Sequence, residues 1–200
     1  MFTGIVGEVG RVRSVTRKRG RALFSVDAPR SAPDVAVGDS VSVNGVCQTV
    51  TATTERAFSF EAVAETLKLT ALSSLSRGSP VNLELALKLG DRISGHLVSG
   101  HVDSTGIVRV RRSVGPGNVD FAVQIPDRLS RYVFDKGSIC LDGVSLTVKA
   151  VRGSMVEVTV IPHTLENTVL RDWRTGTVVN VEVDQIARYL APRMRIEGGG

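Results

Sequence analysis

The 200-residue chain carries 25 Lys and Arg against 20 Asp and Glu, and 42% of its residues are hydrophobic. This is the composition of a globular protein, and it excludes a disordered chain. No stretch approaches the ~18 consecutive apolar residues of a membrane span. Cys47 and Cys140 are too few for a disulfide framework, and the first residues lack the pattern of a secretion signal, so we expect a cytoplasmic protein.

The amino-acid composition favours β-strands over helices. Val, Ile and Thr make up 55 of the 200 residues, and their stiff side chains suit pleated surfaces better than helices. Alternating apolar positions therefore predict six strands in the first half of the chain, over residues 9–15, 22–26, 41–43, 48–52, 58–63 and 81–87.

Turns and crossings punctuate these strands. Asn44-Gly45 and Asp142-Gly143 are strong signals for tight hairpins. Residues 66–75 and 164–173 read as short helical or irregular crossings, each begun by a threonine that can cap. Residues 185–194 predict a C-terminal helix whose length Pro192 limits, and we expect the glycines at 198–200 to be disordered.

An internal repeat sets the domain organisation. Residues 38–87 align with 136–185 without a gap and share 14 identities in 50 pairs, where chance gives roughly three or four. The offset falls from 98 to 97 and then 96 toward the N-terminus. We therefore predict an all-β protein of two tandem six-stranded, Greek-key-like β-barrels over 1–97 and 98–187, with a C-terminal helix and tail over 188–200.

Two functional classes are disfavoured. A basic segment is either a contact for a polyanion or a solvated hairpin loop, and the absence of interleaved aromatic residues favours the hairpin loop, with no nucleic-acid partner. His96, His101 and His163 show no metal-binding spacing with the cysteines, so no metal site is expected. The basic segment consists of Arg11, Arg13, Arg17, Lys18, Arg19 and Arg21.

Positions that differ between the copies point to chemistry. Cys47 aligns with Ser145, His101 with Ile5, and Lys136 with Gly38. Cys47 and Ser145 each follow a tight turn and stand two residues before a threonine on the same strand face. These residues also fit ordinary roles, the cysteines as small buried side chains and His101 as a surface imidazole. Their shared location in both copies favours a functional set.

A series of ordered motifs, present in both copies, resembles the riboflavin synthase family over about residues 1–190. The motifs are MFTGIV at 1–6, NGVCQTV at 44–50, ETL at 65–67, GHLVSGHV at 95–102, KG at 136–137, DGVSLTV at 142–148 and IPHTL at 161–165.

The resemblance implies a homotrimer held together partly by the C-terminal helix, with one lumazine in each barrel. The N-terminal barrel of one subunit would face the C-terminal barrel of its neighbour. It further implies a dismutation without any cofactor, in which one 6,7-dimethyl-8-ribityllumazine gives a four-carbon unit to another. The products are riboflavin and 5-amino-6-ribitylamino-2,4-pyrimidinedione. The alternative is a non-catalytic relative that resembles lumazine protein and only holds a lumazine or flavin.

The resemblance also assigns residues. His101 would transfer a proton, Cys47 or Ser145 would add to the ring or position water, and Thr147 joins this catalytic set. Gln48 replaces the usual apolar residue, which matters only if its side chain points into the pocket. Ser40 and Lys136 suit the ribityl hydroxyls. The slot of the first copy would be lined by Gly4, Ile5, Val6, Cys47, Gln48, Thr49, Glu61, Ala62, Val63, Ala64, Glu65 and Thr66, and that of the second by Gly100, His101, Val102, Ser145, Leu146, Thr147, Thr159, Val160, Ile161, Pro162, His163 and Thr164.

Overall fold

The structure is a computed structural model that describes residues 1–197, with side chains up to residue 191. The disorder expected at 198–200 lies outside the described residues. The chain forms two closed six-stranded antiparallel β-barrels, which confirms the predicted fold class. The strands of the first barrel are β1 (Glu8–Lys18), β2 (Arg21–Asp27), β3 (Ser40–Val43), β4 (Val46–Thr54), β5 (Ala57–Val63) and β6 (Pro80–Leu85).

The second barrel repeats the first. Its strands follow one another around the barrel in the order β7-β8-β11-β10-β9-β12, which matches the order β1-β2-β5-β4-β3-β6 of the first barrel. Apolar side chains from alternate strand positions fill each interior. The second set consists of β7 (Ser104–Ser113), β8 (Val119–Gln124), β9 (Ser138–Leu141), β10 (Val144–Arg152), β11 (Met155–Val160) and β12 (Val178–Val183).

The basic segment is strand rather than loop over most of its length. β1 runs to Lys18 and β2 begins at Arg21, so the hairpin turn itself contains only Arg19 and Gly20. Arg17 donates from its guanidinium to the carbonyls of Ser73 and Leu75. The first strand is longer than predicted because charged side chains on an exposed face leave its backbone pairing intact.

The crossings contain a short helix followed by a 3₁₀ turn, α1 (Ala64–Leu69) with Ala71–Ser74 and α3 (Pro162–Glu166) with Val169–Asp172. The predicted caps at Thr66 and Thr164 are wrong, because both residues lie inside these helices. Instead Thr70 and Thr168 cap the 3₁₀ turns, each accepting a hydrogen bond from the backbone N–H two residues ahead. A third helix, α2 (Asp127–Ser130), follows β8.

The C-terminal helix α4 (Gln185–Glu197) continues past Pro192. The prediction that this proline limits the helix is therefore wrong. A proline inside a helix removes one backbone hydrogen bond and can bend the helix without ending it. Among the described helices, none combines the length and hydrophobicity needed to span a membrane.

The two barrels are joined by an antiparallel bridge at the start of each repeat. The Phe2 N–H donates to the Val98 carbonyl at 2.8 Å, and the Val98 N–H returns a bond to Phe2 at 3.0 Å. Phe2, Val98 and Cys140 are buried together in a small cluster between the barrels, with Cys47 packed against it. The N-terminal segment of each repeat is thereby carried toward the other barrel.

Candidate active site

The segments that follow this bridge are exchanged between the barrels. The Cys47 N–H donates to the Gly100 carbonyl and the Ser145 N–H to the Gly4 carbonyl, each at 2.8 Å. Val102 is buried in the core of the first barrel, and Val6 packs against the core of the second. The expected grouping of 4–6 with the first copy and 100–102 with the second is therefore wrong, because each segment lies on the opposite barrel.

Glycine is needed at both exchange points. Gly4 has φ +76° and Gly100 has φ +80°, in the left-handed region. A Cβ at Gly4 would lie 2.6 Å from the Ser145 Cβ, and a Cβ at Gly100 would lie 2.6 Å from the Cys47 Cβ. Backbone at these points approaches the facing residue more closely than any side chain would allow.

The first-barrel site comprises residues 47–49, 61–66 and 100–102 with Ser40. Ser40 is paired with Thr49 across β3 and β4, and Val50 opposite Phe60 places 47–49 beside the end of β5. Cys47 is half-buried and Thr49 is exposed, on the outer face of the barrel. His101 is exposed, and its backbone N–H donates to Ser99 Oγ at 3.1 Å.

The side chain of Gln48 does not point into this site. Its side chain is buried on the inner face of β4, where Leu146 stands in the second barrel, and its amide donates to the Cys47 carbonyl at 2.8 Å. Strand alternation sets this direction, since Cys47 and Thr49 face outward. The departure from an apolar residue therefore changes the barrel interior rather than the ligand-facing surface.

The two cysteines have different environments. Cys140 is fully buried, and its burial raises the pKa of the thiol well above the usual range. Cys47 is half-buried beside residues 100–102. A buried thiol without a nearby cation is inert, whereas a thiol at an accessible surface can react. Of the two, only Cys47 is placed for chemistry.

The second-barrel site comprises residues 4–6, 145–147 and 159–164. β10 pairs with β11, with Val148 opposite Val158, so 145–147 lie beside the end of β11. Val6 and His163 line one polar cavity of about 480 Å³, which connects segment 4–6 with helix α3. Ser145 is half-buried and Thr147 is exposed, which matches Cys47 and Thr49 in the first barrel.

His96 belongs to this site, although it is not among the site residues predicted from the sequence. Its Nδ1 lies 2.7 Å from Ser145 Oγ, and its backbone N–H donates to the Thr3 carbonyl at 3.1 Å. Burial lowers the pKa of His96, outweighing the negative charges of Asp184 and Glu182. A neutral imidazole whose Nδ1 carries no proton can accept the Ser145 hydroxyl proton. The only sequence signal is its place in the 95–102 motif, because the repeat offers no counterpart for comparison.

Thr159 and Lys136, both predicted to bind the ligand, make hydrogen bonds within the protein. The Thr159 hydroxyl donates to Asp120 at 2.6 Å. Burial raises the pKa of Asp120, but hydrogen bonds from Lys149, Thr159 and Arg112 outweigh it and lower the pKa to about 2. The hydroxyl of Thr159 is thus bound to a carboxylate that is charged at neutral pH. Lys136 is exposed with φ +65°, and its N–H donates to the Val148 carbonyl beside Thr147.

The remaining predicted residues lie where a strand passes into a short helix, over 61–66 in the first barrel and 159–164 in the second. The side chains of Ala62 and Val160 do not face the sites, because strand alternation buries them in the barrel cores. Glu61 pairs with Arg21 at 3.2 Å. Within the described residues, no group of three or more His, Cys, Asp or Glu side chains lies close enough to hold a metal ion.

The comparisons agree with this geometry. Residues 3–86 and 99–184 each match the lumazine binding domain family. A riboflavin synthase from Mycobacterium bovis is 42% identical over 202 residues, covering 99% of this chain and 100% of that protein. A riboflavin synthase from Bacillus amyloliquefaciens is 40% identical and covers 95% of this chain and 88% of its own length. LumP complexed with riboflavin superimposes with a TM-score of 0.85 at 21% identity, covering 92% of this chain and 99% of LumP, which shows the shared fold. The chain belongs to the riboflavin synthase family, whose fold it builds from two lumazine binding domains.

Proposed function

We propose that the chain is a riboflavin synthase that transfers a four-carbon unit between two molecules of 6,7-dimethyl-8-ribityllumazine. One observation carries this proposal. Two sites of the same construction hold different reactive side chains, Cys47 with His101 in the first and Ser145 with His96 in the second. A dismutation uses the same molecule in two roles, so it requires matching slots with unlike chemistry.

The residues at the strand ends suit a flat lumazine. Its ring presents amide donors and acceptors, which backbone N–H and C=O groups at open strand ends can match. Segments 4–6 and 100–102 bring such backbone to each slot, beside 145–147 and 47–49 respectively. The exposed hydroxyls of Thr49 and Thr147, with Ser40 and Lys136, are suited to the ribityl chain.

The reaction requires a base at one lumazine and a nucleophile at the other. His101, exposed at the first-barrel site, takes a proton from the 7-methyl group of its lumazine. At the second-barrel site Ser145, or a water that it positions, adds to the electrophilic ring carbon while His96 receives the proton. The added group leaves again during the transfer, so two lumazines yield one riboflavin and one 5-amino-6-ribitylamino-2,4-pyrimidinedione. Holding the two reactants together lowers the barrier further by several kcal/mol.

The proposal includes a cytoplasmic homotrimer in which the first-barrel site of one chain faces the second-barrel site of the next. Ile186 and Leu190 on α4 are 59% and 52% exposed, and with Tyr132 and Phe134 they line an apolar groove of about 240 Å³. Exposed apolar surface of this kind favours association, and a repeated head-to-tail contact can close into a ring. Both thiols are free, as suits a reducing compartment.

Turnover tests the proposal directly. The purified chain should convert 6,7-dimethyl-8-ribityllumazine to riboflavin and the pyrimidinedione in equal amounts, as measured by chromatography. Activity should persist with a chelator and without added nucleotide. Tight binding of the lumazine without any riboflavin would contradict the proposal and favour a non-catalytic, lumazine-protein-like role.

A further inference from the structure

A buried carboxylate of the second barrel accepts hydrogen bonds on both oxygens from the segment that carries His101. Glu182 in β12 is 2% exposed. Its Oε1 accepts from the Ser99 N–H and the Ser99 hydroxyl, both at 2.7 Å, and its Oε2 accepts from the Gly100 N–H at 2.9 Å. Three short hydrogen bonds compensate a charge that would otherwise be costly to bury.

The same segment is held from the opposite side. Ser99 Oγ donates to Glu182 and accepts from the His101 N–H, while the Gly100 carbonyl accepts from the Cys47 N–H at 2.8 Å. The backbone of 99–101 is thus fixed between a carboxylate of one barrel and a thiol-bearing turn of the other. The His101 ring is exposed, so its location depends on the backbone that carries it.

We propose that Glu182 is a positioning residue for the reaction, which holds His101 over the first-barrel site through Ser99 and Gly100. The inference rests on the proposed function, because the role of His101 in proton transfer belongs to it. Misplacing a catalytic group by about 1 Å can cost up to 10²-fold in rate. Loss of the carboxylate should therefore reduce turnover more than affinity.

The first repeat contains an equivalent glutamate that binds the corresponding segment, but that segment carries no histidine. Glu84, the counterpart of Glu182, accepts from the Thr3 N–H at 2.7 Å, the Thr3 hydroxyl at 2.8 Å and the Gly4 N–H at 3.0 Å. The next residue there is Ile5. Thr3 corresponds to Ser99, so a threonine fits this kind of clamp and its hydroxyl reaches the carboxylate.

The test compares variants alone and in a His101→Gln background. Glu182→Gln should lower kcat roughly tenfold while KM changes less than about threefold. Ser99→Ala, which keeps the carboxylate, should lower kcat in the same direction, and Ser99→Thr should restore it. In the His101→Gln background, Ser99→Ala, which leaves the charge of Glu182 near His96 in place, should cost less than about twofold more, because the group it positions is gone. Thr3→Ala serves as the control, and its effect should persist in that background.

Folding is checked by thermal melting and riboflavin binding, and Ser99→Ala provides the result if Glu182→Gln does not fold. An active wild type whose Glu182→Gln and Ser99→Ala variants keep full kcat would overturn this inference alone. Equal losses from Ser99→Ala with and without His101 would do the same, since they indicate general disruption. A wild-type chain that forms no riboflavin would overturn the proposed function and this inference with it.

Discussion

Asn82 and Asn180 make equivalent hydrogen bonds across the seam, which is the interface between the two repeats, each to a turn of the other repeat. The two turns themselves differ, since one contains Asn44 and the other Asp142. The Asn82 side-chain N–H donates to the Asp142 carbonyl and that of Asn180 to the Asn44 carbonyl, each at 2.8 Å. Asn44 and Asp142 each accept a backbone N–H on Oδ1. Only Asp142 has a further partner, the Trp173 indole N–H at 3.1 Å.

This comparison separates residues that have the same structural role in both repeats from residues that differ between the two sites. The amides that join the repeats are the same in both copies, and so are the glutamates that hold the exchanged segments. Among the side chains directed at the two sites, Thr49 and Thr147 are the same, but Cys47 stands opposite Ser145 and Ile5 opposite His101 in the alignment. The shared residues build two like slots, and the differing residues give each slot its own chemistry.

The largest effect should come from removing the second repeat. Residues 1–97 contain 47–49 but lack 100–102, which complete the first-barrel site. Segment 4–6 of a second fragment can take the place of 100–102, because the repeats align there. We expect the fragment to form a two-fold dimer that binds riboflavin and has no measurable turnover, as determined by sedimentation and fluorescence titration.

Gly4→Ala is the control for this dimer. A Cβ at Gly4 has no room beside the residue that it faces, so the variant fragment should stay monomeric and lose affinity. A monomeric wild-type fragment that binds riboflavin tightly would show that the exchanged segment is not required.

The next largest effect concerns the imidazole that only one repeat carries. His101→Gln should leave lumazine affinity within a few-fold and lower turnover by ~10²-fold or more, the usual contribution of acid–base catalysis. Cys47→Ser should be milder, because Ser145 shows that a hydroxyl fits the equivalent turn. Weaker binding with unchanged turnover at saturation would instead make His101 a ligand-positioning residue.

A stability measurement tests the symmetric part of the seam. Asn180 is 1% exposed, and its side chain also accepts from the Ala71 N–H at 2.7 Å. Asn180→Ala leaves that N–H and the Asn44 carbonyl buried without partners, which should lower the free energy of unfolding by about 2–4 kcal/mol. Asn82→Ala should cost a similar amount, measured by urea denaturation. A loss below about 1 kcal/mol for both would show that water replaces these bonds.

Sequence reasoning recovered the barrels because strand patterns and tight turns are local. It assigned segments 4–6 and 100–102 to the wrong barrels for a physical reason: the repeat shows which residues correspond, but not which copy each one packs against. That choice depends on the Phe2–Val98 bridge, a contact between distant parts of the chain. His96 was missed as a site residue because it precedes the second repeat and has no counterpart to compare with.

The smallest predicted effect is a pH dependence at the asymmetric turn. Burial raises the pKa of Asp142 to about 7, although hydrogen bonds from the Asn180 backbone and the Trp173 indole favour the charged form. The folded protein thus holds this proton more tightly than the unfolded chain, so the contribution to stability is present at low pH and is lost as pH rises from about 4 to about 7. Trp173 is the single tryptophan, and its emission should titrate with a midpoint near 7. Asp142→Asn should abolish this titration, and the melting temperature of the wild type relative to Asp142→Asn should fall over the same interval. The same midpoint in Asp142→Asn would mean that Trp173 responds to a different group.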